Sequence, residues 1–380
     1  MIYCDHNATT PIRPEVLDAM LPWLRGEYGN ASSVHQLGSR ARCAVEDARA
    51  QVAALIGARP AEIVFTSGGT ESNNLAIQGL AYGSRRRTIV TTAIEHSSVR
   101  EPIRALAAEG CEVREVPVDG FGHVTATDVG AAVSGVDAIA SVGWANNEIG
   151  TVQPIDEIAA ICRAHTALLH VDAAQAVGKI PVQARGIDLV SLSAHKIGGP
   201  KGVGALYVRS GIKLRPLLAG GGQERGRRAG TENVAGIVGL GEACRLAGGE
   251  LGAFAEACVK LREALWDGLR GAMRDVLRNG PTGADCLPNT VNVTFAGVRG
   301  EALVAALDLA GVAVSSGSAC AAGAGEPSHV LLALGRTADA ARDGVRFSVG
   351  RASSMEEIER VVDLTAAAVL RIRSARAAHS

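Results

Sequence analysis

Residues 62–70, Glu62-Ile63-Val64-Phe65-Thr66-Ser67-Gly68-Gly69-Thr70, read as a short apolar strand running into a glycine turn, with a helix expected from Glu71. Upstream, Ala44, Val45, Ala48, Val52, Leu55 and Ile56 recur at helical intervals over 40–56, and Gly57 is a natural stop. Downstream, apolar runs predict strands at 88–92, 112–118, 136–142, 167–172, 187–193 and 203–208. Helical patterns at 97–109 and 155–165 separate several of them. Short apolar strands alternating with amphipathic helices specify an α/β domain on a mostly parallel sheet. After about residue 250 the pattern changes. A long helix near 251–275, the run Thr290-Val291-Asn292-Val293-Thr294-Phe295, a helix at 300–310, Val345-Arg346-Phe347-Ser348-Val349 and a terminal helix from about 355 predict a smaller α+β domain.

Composition removes several classes of function. Among 380 residues, Lys+Arg 38 against Asp+Glu 39 leaves a net charge of −1, so there is no basic surplus to argue for nucleic-acid binding. No run approaches the ~20 apolar residues of a membrane span. The opening Met1-Ile2-Tyr3-Cys4-Asp5-His6 has no basic-then-apolar signal, so a reduced, cytoplasmic setting is expected. The eight cysteines contain no C-x-x-C pair, which argues against structural zinc, and no metal is expected.

Unusual residues gather where strands end, which is where ligands bind in open α/β sheets. Ser67-Gly68-Gly69-Thr70 is either a plain tight turn or a phosphate cup at a helix N-terminus. Asp172, closing the strand Ala167–Asp172, is either a helix N-cap or an anion for a protonated ring nitrogen. Lys196 follows Ser193-Ala194-His195 and precedes Gly198-Gly199. Only five of the 38 basic residues are lysines, which favours a confined amine able to carry a Schiff base over a solvated turn residue. His96 is either a core histidine or an aromatic plate over a planar cofactor. A phosphate cup, a carboxylate, an amine and an aromatic lid together suit pyridoxal 5′-phosphate. Cys320, within Ser315-Ser316-Gly317-Ser318-Ala319-Cys320-Ala321-Ala322-Gly323, lies among small residues that cannot build a core; the composition predicts a mobile loop at about 315–330 and a nucleophilic thiol.

With these blocks in place, the chain closely resembles the cysteine desulfurases of the NifS/IscS type. These are class-V aminotransferases and fold-type-I pyridoxal-phosphate enzymes. The resemblance runs from Tyr3 to about Arg351. It rests on Asp5-His6-Asn7-Ala8-Thr9-Thr10, Gly29-Asn30-Ala31-Ser32-Ser33-Val34-His35, Phe65 to Asn74, Asn146-Asn147-Glu148-Ile149-Gly150-Thr151, Gly230-Thr231-Glu232-Asn233, Arg346 to Arg351 and the Ser-Ser-Gly-Ser-Ala-Cys segment. It implies a large cofactor domain, residues 15–255, with a mostly parallel seven-stranded sheet. It also implies a small α+β domain made of 1–14 and 256–380.

The resemblance further implies that Lys196 anchors the cofactor, Asp172 pairs with its ring nitrogen, Gln175 and Asn147 bond its phenolic oxygen, and His96 stacks on the ring. Gly69, Thr70, Ser193 and His195 would hold the phosphate. Thr231 would reach the phosphate in a partner subunit, making the protein a homodimer. Arg346, helped by Asn30, would bind the substrate carboxylate, for which a guanidinium fork is suited. Lys196 and His96 would then move protons while Cys320 takes sulfur from L-cysteine, leaving alanine and a Cys320 persulfide for an acceptor protein, without direct nucleic-acid or membrane contact. Iron–sulfur cluster assembly, tRNA thiolation and DNA phosphorothioation are the implied destinations. Three departures stand out: Ala321-Ala322-Gly323 where relatives carry Thr or Ser, Cys4 and His6 in the opening block, and a tail after Ser374 shorter than in the housekeeping members, which points to a dedicated sulfur pathway. An aminotransferase or β-lyase on the same scaffold, for which Cys320 would be dispensable, and a non-catalytic scaffold subunit are the rival readings.

Overall fold

The computed structural model describes residues 1–84, 86–316 and 326–377. Cys320 and most of the loop expected around it lie outside the described residues.

A seven-stranded sheet runs in the order Ile63–Thr66, Gly204–Val208, Leu189–Ser193, Leu168–Asp172, Ala138–Gly143, Thr88–Thr92 and Glu112–Val116. Six of these strands point the same way, and Gly204–Val208 alone runs antiparallel to both of its neighbours. The strand alternation sorts side chains to two faces. Ala138, Ala140 and Val142 join Val45, Val52, Val129 and Ile158 in one core, whereas Ile89, Ile139 and Leu206 pack with Leu75, Leu80, Ile103 and Leu106 on the other side. Burial on both faces explains why these strands read as continuous apolar runs.

A second, four-stranded antiparallel sheet runs in the order Ser315–Ser316, Gly344–Ser348, Thr290–Phe295 and Val276–Asn279. Its core of Val291, Val293, Phe295, Val345 and Phe347 is covered by Leu303 and Leu307 of helix Gly300–Leu309 and by Ile358, Val361 and Val369 of helix Met355–Ala377. The N-terminal strand Ile2–Tyr3 pairs in parallel with Val312–Ala313.

One 39-residue helix, Val234–Ala272, serves both cores. Ile237, Leu240 and Cys244 enter the first, and Cys258, Leu261, Leu265 and Leu269 the second. The sequence suggested only its second half because the first half is rich in glycine, ordinarily a helix breaker. The packing supplies the reason. A Cβ on Gly239 would come within 2.6 Å of Met20 Sδ, and one on Gly241 within 2.6 Å of Ala48 Cα. These glycines let the helix lie close against helices Pro14–Arg25 and Gln36–Leu55. No helix among the described residues is long and apolar enough to cross a membrane.

Candidate active site

A cavity of about 700 Å³ opens at the carboxyl ends of the central strands. Gly69, Thr70, His96, Asn147, Asp172, Gln175, Ser193, His195, Lys196 and Arg346 all line it. Asn30 and Thr231 do not. Both are exposed, and their segments lie together elsewhere, since Ala31 and Ser32 share a second cavity of about 380 Å³ with Gln223, Arg225 and Glu232.

Strand Leu189–Ser193 ends in a short 3₁₀ turn, Ala194–Lys196, that delivers Lys196 to the cavity. Its Nζ donates to the backbone carbonyls of Asn7 at 2.6 Å and Ala8 at 2.8 Å. Gln175 Nε2 donates to the same Asn7 carbonyl at 2.9 Å, while Gln175 Oε1 accepts from Lys179 Nζ at 2.6 Å. The Asn7 carbonyl can only accept, so it fixes which end of the Gln175 amide faces it. Lys179 is itself buried and bonds Asn7 Oδ1 at 2.9 Å. Burial, reinforced by Lys196 and Arg346, holds its pKa well below the ordinary lysine value.

Asp172 closes strand Leu168–Asp172 and accepts from the Ala174 N–H at 3.0 Å and from Asn73 Nδ2 at 2.7 Å. No helix follows Asp172, only turns over 174–179, so this is a turn contact and not a helix cap, and the same carboxylate lines the cavity. Helix Gly69–Ser84 starts two residues earlier than the sequence suggested, so its first N–H groups, which have no helical partner, sit at Gly69 and Thr70. A Cβ on Gly204 would come within 2.7 Å of Gly68 Cα; the bare backbone lets the sheet approach that turn. An adjoining cavity of about 330 Å³ shares Gly69, Thr70, Ser193 and His195 and adds Ser67 and Lys201. His195 bonds Thr9 Oγ1 at 3.1 Å, and burial, followed by Lys196, Lys201 and Lys179, pushes its pKa down to about 4.

His96 is the N-cap of helix Ser97–Ala108: its Nδ1 accepts from the Ser98 N–H at 3.1 Å. Arg346, in strand Gly344–Ser348, is 2% exposed. Its guanidinium meets Asp5 Oδ1 at 2.7 Å and the Asn147 carbonyl at 2.9 Å, and its Nε is buried with no hydrogen-bond partner among the described residues.

Several cavity residues carried no assigned role from the sequence. Asn7 was legible only as part of a quoted block, and Asn73 likewise. Glu95 and Glu148 are buried, and burial lifts each carboxyl to about 7. Glu148 accepts from Ser328 Oγ at 2.6 Å, and His329 Nε2 bonds the Glu95 carbonyl at 3.0 Å. Glu148 too was legible only as part of a block, and Glu95 gave no sign of its burial in the sequence.

The donor set tests well against pyridoxal phosphate. A half-buried amine resting on two carbonyls, a carboxylate, a helix start and an orphaned guanidinium nitrogen match an aldehyde, a protonated ring nitrogen, a phosphate and an amino-acid carboxylate in turn. Among the described residues no cluster of His, Cys, Asp and Glu is arranged to hold a metal ion.

Comparison with known proteins agrees. Residues 2–361 match the aminotransferase class-V family. The chain is 44% identical over 377 residues to the cysteine desulfurase IscS of Dictyoglomus turgidum, covering 98% of this chain and 95% of that one. Among solved structures, a NifS-like protein superimposes with a TM-score of 0.90 at 39% identity, covering 96% of this chain and 98% of that one. DndA from Streptomyces lividans does so with a TM-score of 0.77 at 40% identity, covering 90% and 97%.

Proposed function

The chain belongs to the aminotransferase class-V family and is a cysteine desulfurase dependent on pyridoxal 5′-phosphate, and from that premise we propose how its own residues share the work. The observation that carries the assignment is the gathering of Lys196, Asp172, His96, Gln175 and Arg346 from separate segments around one cavity.

The cofactor, when bound, supplies an electron sink that weakens the C–S bond of the substrate. Lys196 would hold its aldehyde, Asp172 its ring nitrogen, Gln175 and Asn147 its phenolic oxygen, His96 its face, and Gly69, Thr70, Ser193 and His195 its phosphate. Arg346 orients L-cysteine by its carboxylate, which takes the orphaned Nε edge while Asp5 and Asn147 keep the guanidinium in place. When substrate displaces Lys196, the amine has a resting place on the Asn7 and Ala8 carbonyls, from which Nζ can exchange a proton with the substrate α-carbon. The Cys320 thiolate attacks the substrate sulfur. An S–S bond forms as the C–S bond breaks, the electron pair passes to carbon, and protonation there yields alanine. Sulfur is oxidised as carbon is reduced, so no external oxidant is required.

The test is Cys320→Ser with alanine followed from L-cysteine. Alanine formation and persulfide should both vanish, and unimpaired turnover would refute the role of Cys320 and favour a β-lyase. The persulfide sulfur passes to a protein acceptor, whose capture under mild reductant would identify cluster assembly, tRNA thiolation or DNA phosphorothioation as its destination.

The protein works as a cytoplasmic homodimer. Leu24, Tyr28 and Val34 are 62%, 81% and 97% exposed, in the stretch that carries Asn30 and whose Ala31 and Ser32 meet the Thr231 segment. Dimerisation would cover them and bring Thr231 to a neighbouring cavity; a sedimenting mass of 39.0 kDa, that of one chain, would contradict this. The domain boundary falls within the long helix near residue 255, between Cys244 of the first core and Cys258 of the second.

A further inference from the structure

Resting on that reading of His96 and Asp172, we infer that Asn73 and Ser98 are positioning residues whose side chains bridge the Asp172 carboxylate to Nδ1 of His96 and lock the imidazole in the tautomer that carries its proton on Nε2.

The bridge follows from which atoms can donate. Asn73, 1% exposed on helix Gly69–Ser84, has Nδ2 at 2.7 Å from Asp172 Oδ2 and 2.8 Å from Ser98 Oγ. A carboxylate oxygen accepts, so the amide nitrogen must face Asp172, and its second hydrogen goes to the serine hydroxyl. That hydroxyl, having accepted from Asn73, has its own hydrogen left for its other neighbour, His96 Nδ1 at 2.8 Å. The Ser98 backbone N–H, which can only donate, lies 3.1 Å from the same Nδ1. Two donors converge on one ring nitrogen, so Nδ1 offers its lone pair and the ring proton resides on Nε2.

The position of the ring strengthens the lock. His96 caps a 12-residue helix, so its Nδ1 is held against the backbone N–H donors of the helix start. Ser98 is 8% exposed, so water competes little for the bridge. In this tautomer His96 meets the substrate as a donor through Nε2 and takes up a proton there only after giving one away. The bridge also ties His96 to the Asp172 carboxylate through side chains alone.

The experiment uses full-length protein labelled with ¹⁵N-histidine, both loaded with pyridoxal phosphate and cofactor-free, with the His96 signals assigned by their loss in His96→Gln. Wild type should show Nε2 protonated and Nδ1 bare. Ser98→Ala keeps the backbone cap but removes the hydroxyl. Its His96 signals should shift toward a tautomer mixture, and kcat for alanine formation should fall about fivefold with KM little changed. Ser98→Thr should restore both. A protonated Nδ1 in wild type, unmoved ring signals in Ser98→Ala, or a Ser98→Thr protein that behaves like the alanine variant would overturn the inference. The cofactor-free spectrum is read without any turnover, so a failure of the desulfurase site in wild type is seen separately as missing cofactor absorbance or missing alanine.

Discussion

At the Asp172 end of the cavity, each partner comes from the large sheet or a helix leaving it: Asp172, Asn73, Ser98, His96, Gly69 and Thr70 lie at strand ends and helix starts. At the Arg346 end, the contacts join the two extremes of the chain. Arg346 meets Asp5 across 341 residues and the Asn147 carbonyl across 199. The first end is a property of the α/β sheet, and the second exists only once the N-terminal segment and the small sheet have closed over it. The cofactor end should therefore govern the chemical step, and the far end substrate binding.

The largest separation should come from Asp172→Ala. Removing a charge-assisted partner in a partly buried site should lower kcat about 10²–10³-fold. KM for L-cysteine should hold within about threefold if the two ends act independently. Next, Arg346→Lys keeps the charge but loses the fork, and should raise KM about thirtyfold with the cofactor absorbance unchanged. A large fall in cofactor content there would mean that the two ends are not separable. Asp5→Asn should give a weaker version of the same effect, about fivefold in KM, because the Asn147 carbonyl still holds the guanidinium.

The same contrast explains what could be read in advance. The run Glu62 to Thr70, the strand ending at Asp172 and the turn carrying Lys196 each join a strand end to polar residues within a few positions, so local pattern could put them at the ligand-binding edge of the sheet while leaving two readings of each open. The Asp5–Arg346 pair, the Asn7 carbonyl under Lys196 and the burial of Lys179, Glu95 and Glu148 depend on segments far apart in the chain, and no local spacing encodes them. Gly239 and Gly241 misled for a related reason, because their helical role appears only beside Met20 and Ala48.

The smallest expected effect is on stability. Burial raises Glu95 and Glu148 from 4.5 to about 7. Between those values the folded chain binds more protons than the unfolded one, so their contribution is present at low pH and is lost as pH rises through about 7. Glu148→Gln removes its share, worth about 3 kcal/mol at most. The melting temperature of the variant should therefore gain a few degrees on wild type between about pH 5 and about pH 8. A gap that stays constant with pH would contradict the buried titration.

The central claim is that Lys196, and not the buried Lys179 or the neighbouring Lys201, carries the cofactor. Borohydride reduction of the loaded enzyme, followed by peptide mass spectrometry, tests it directly. The account predicts a single pyridoxyl-phosphate adduct on Lys196, and an adduct on Lys179 or Lys201 would contradict it.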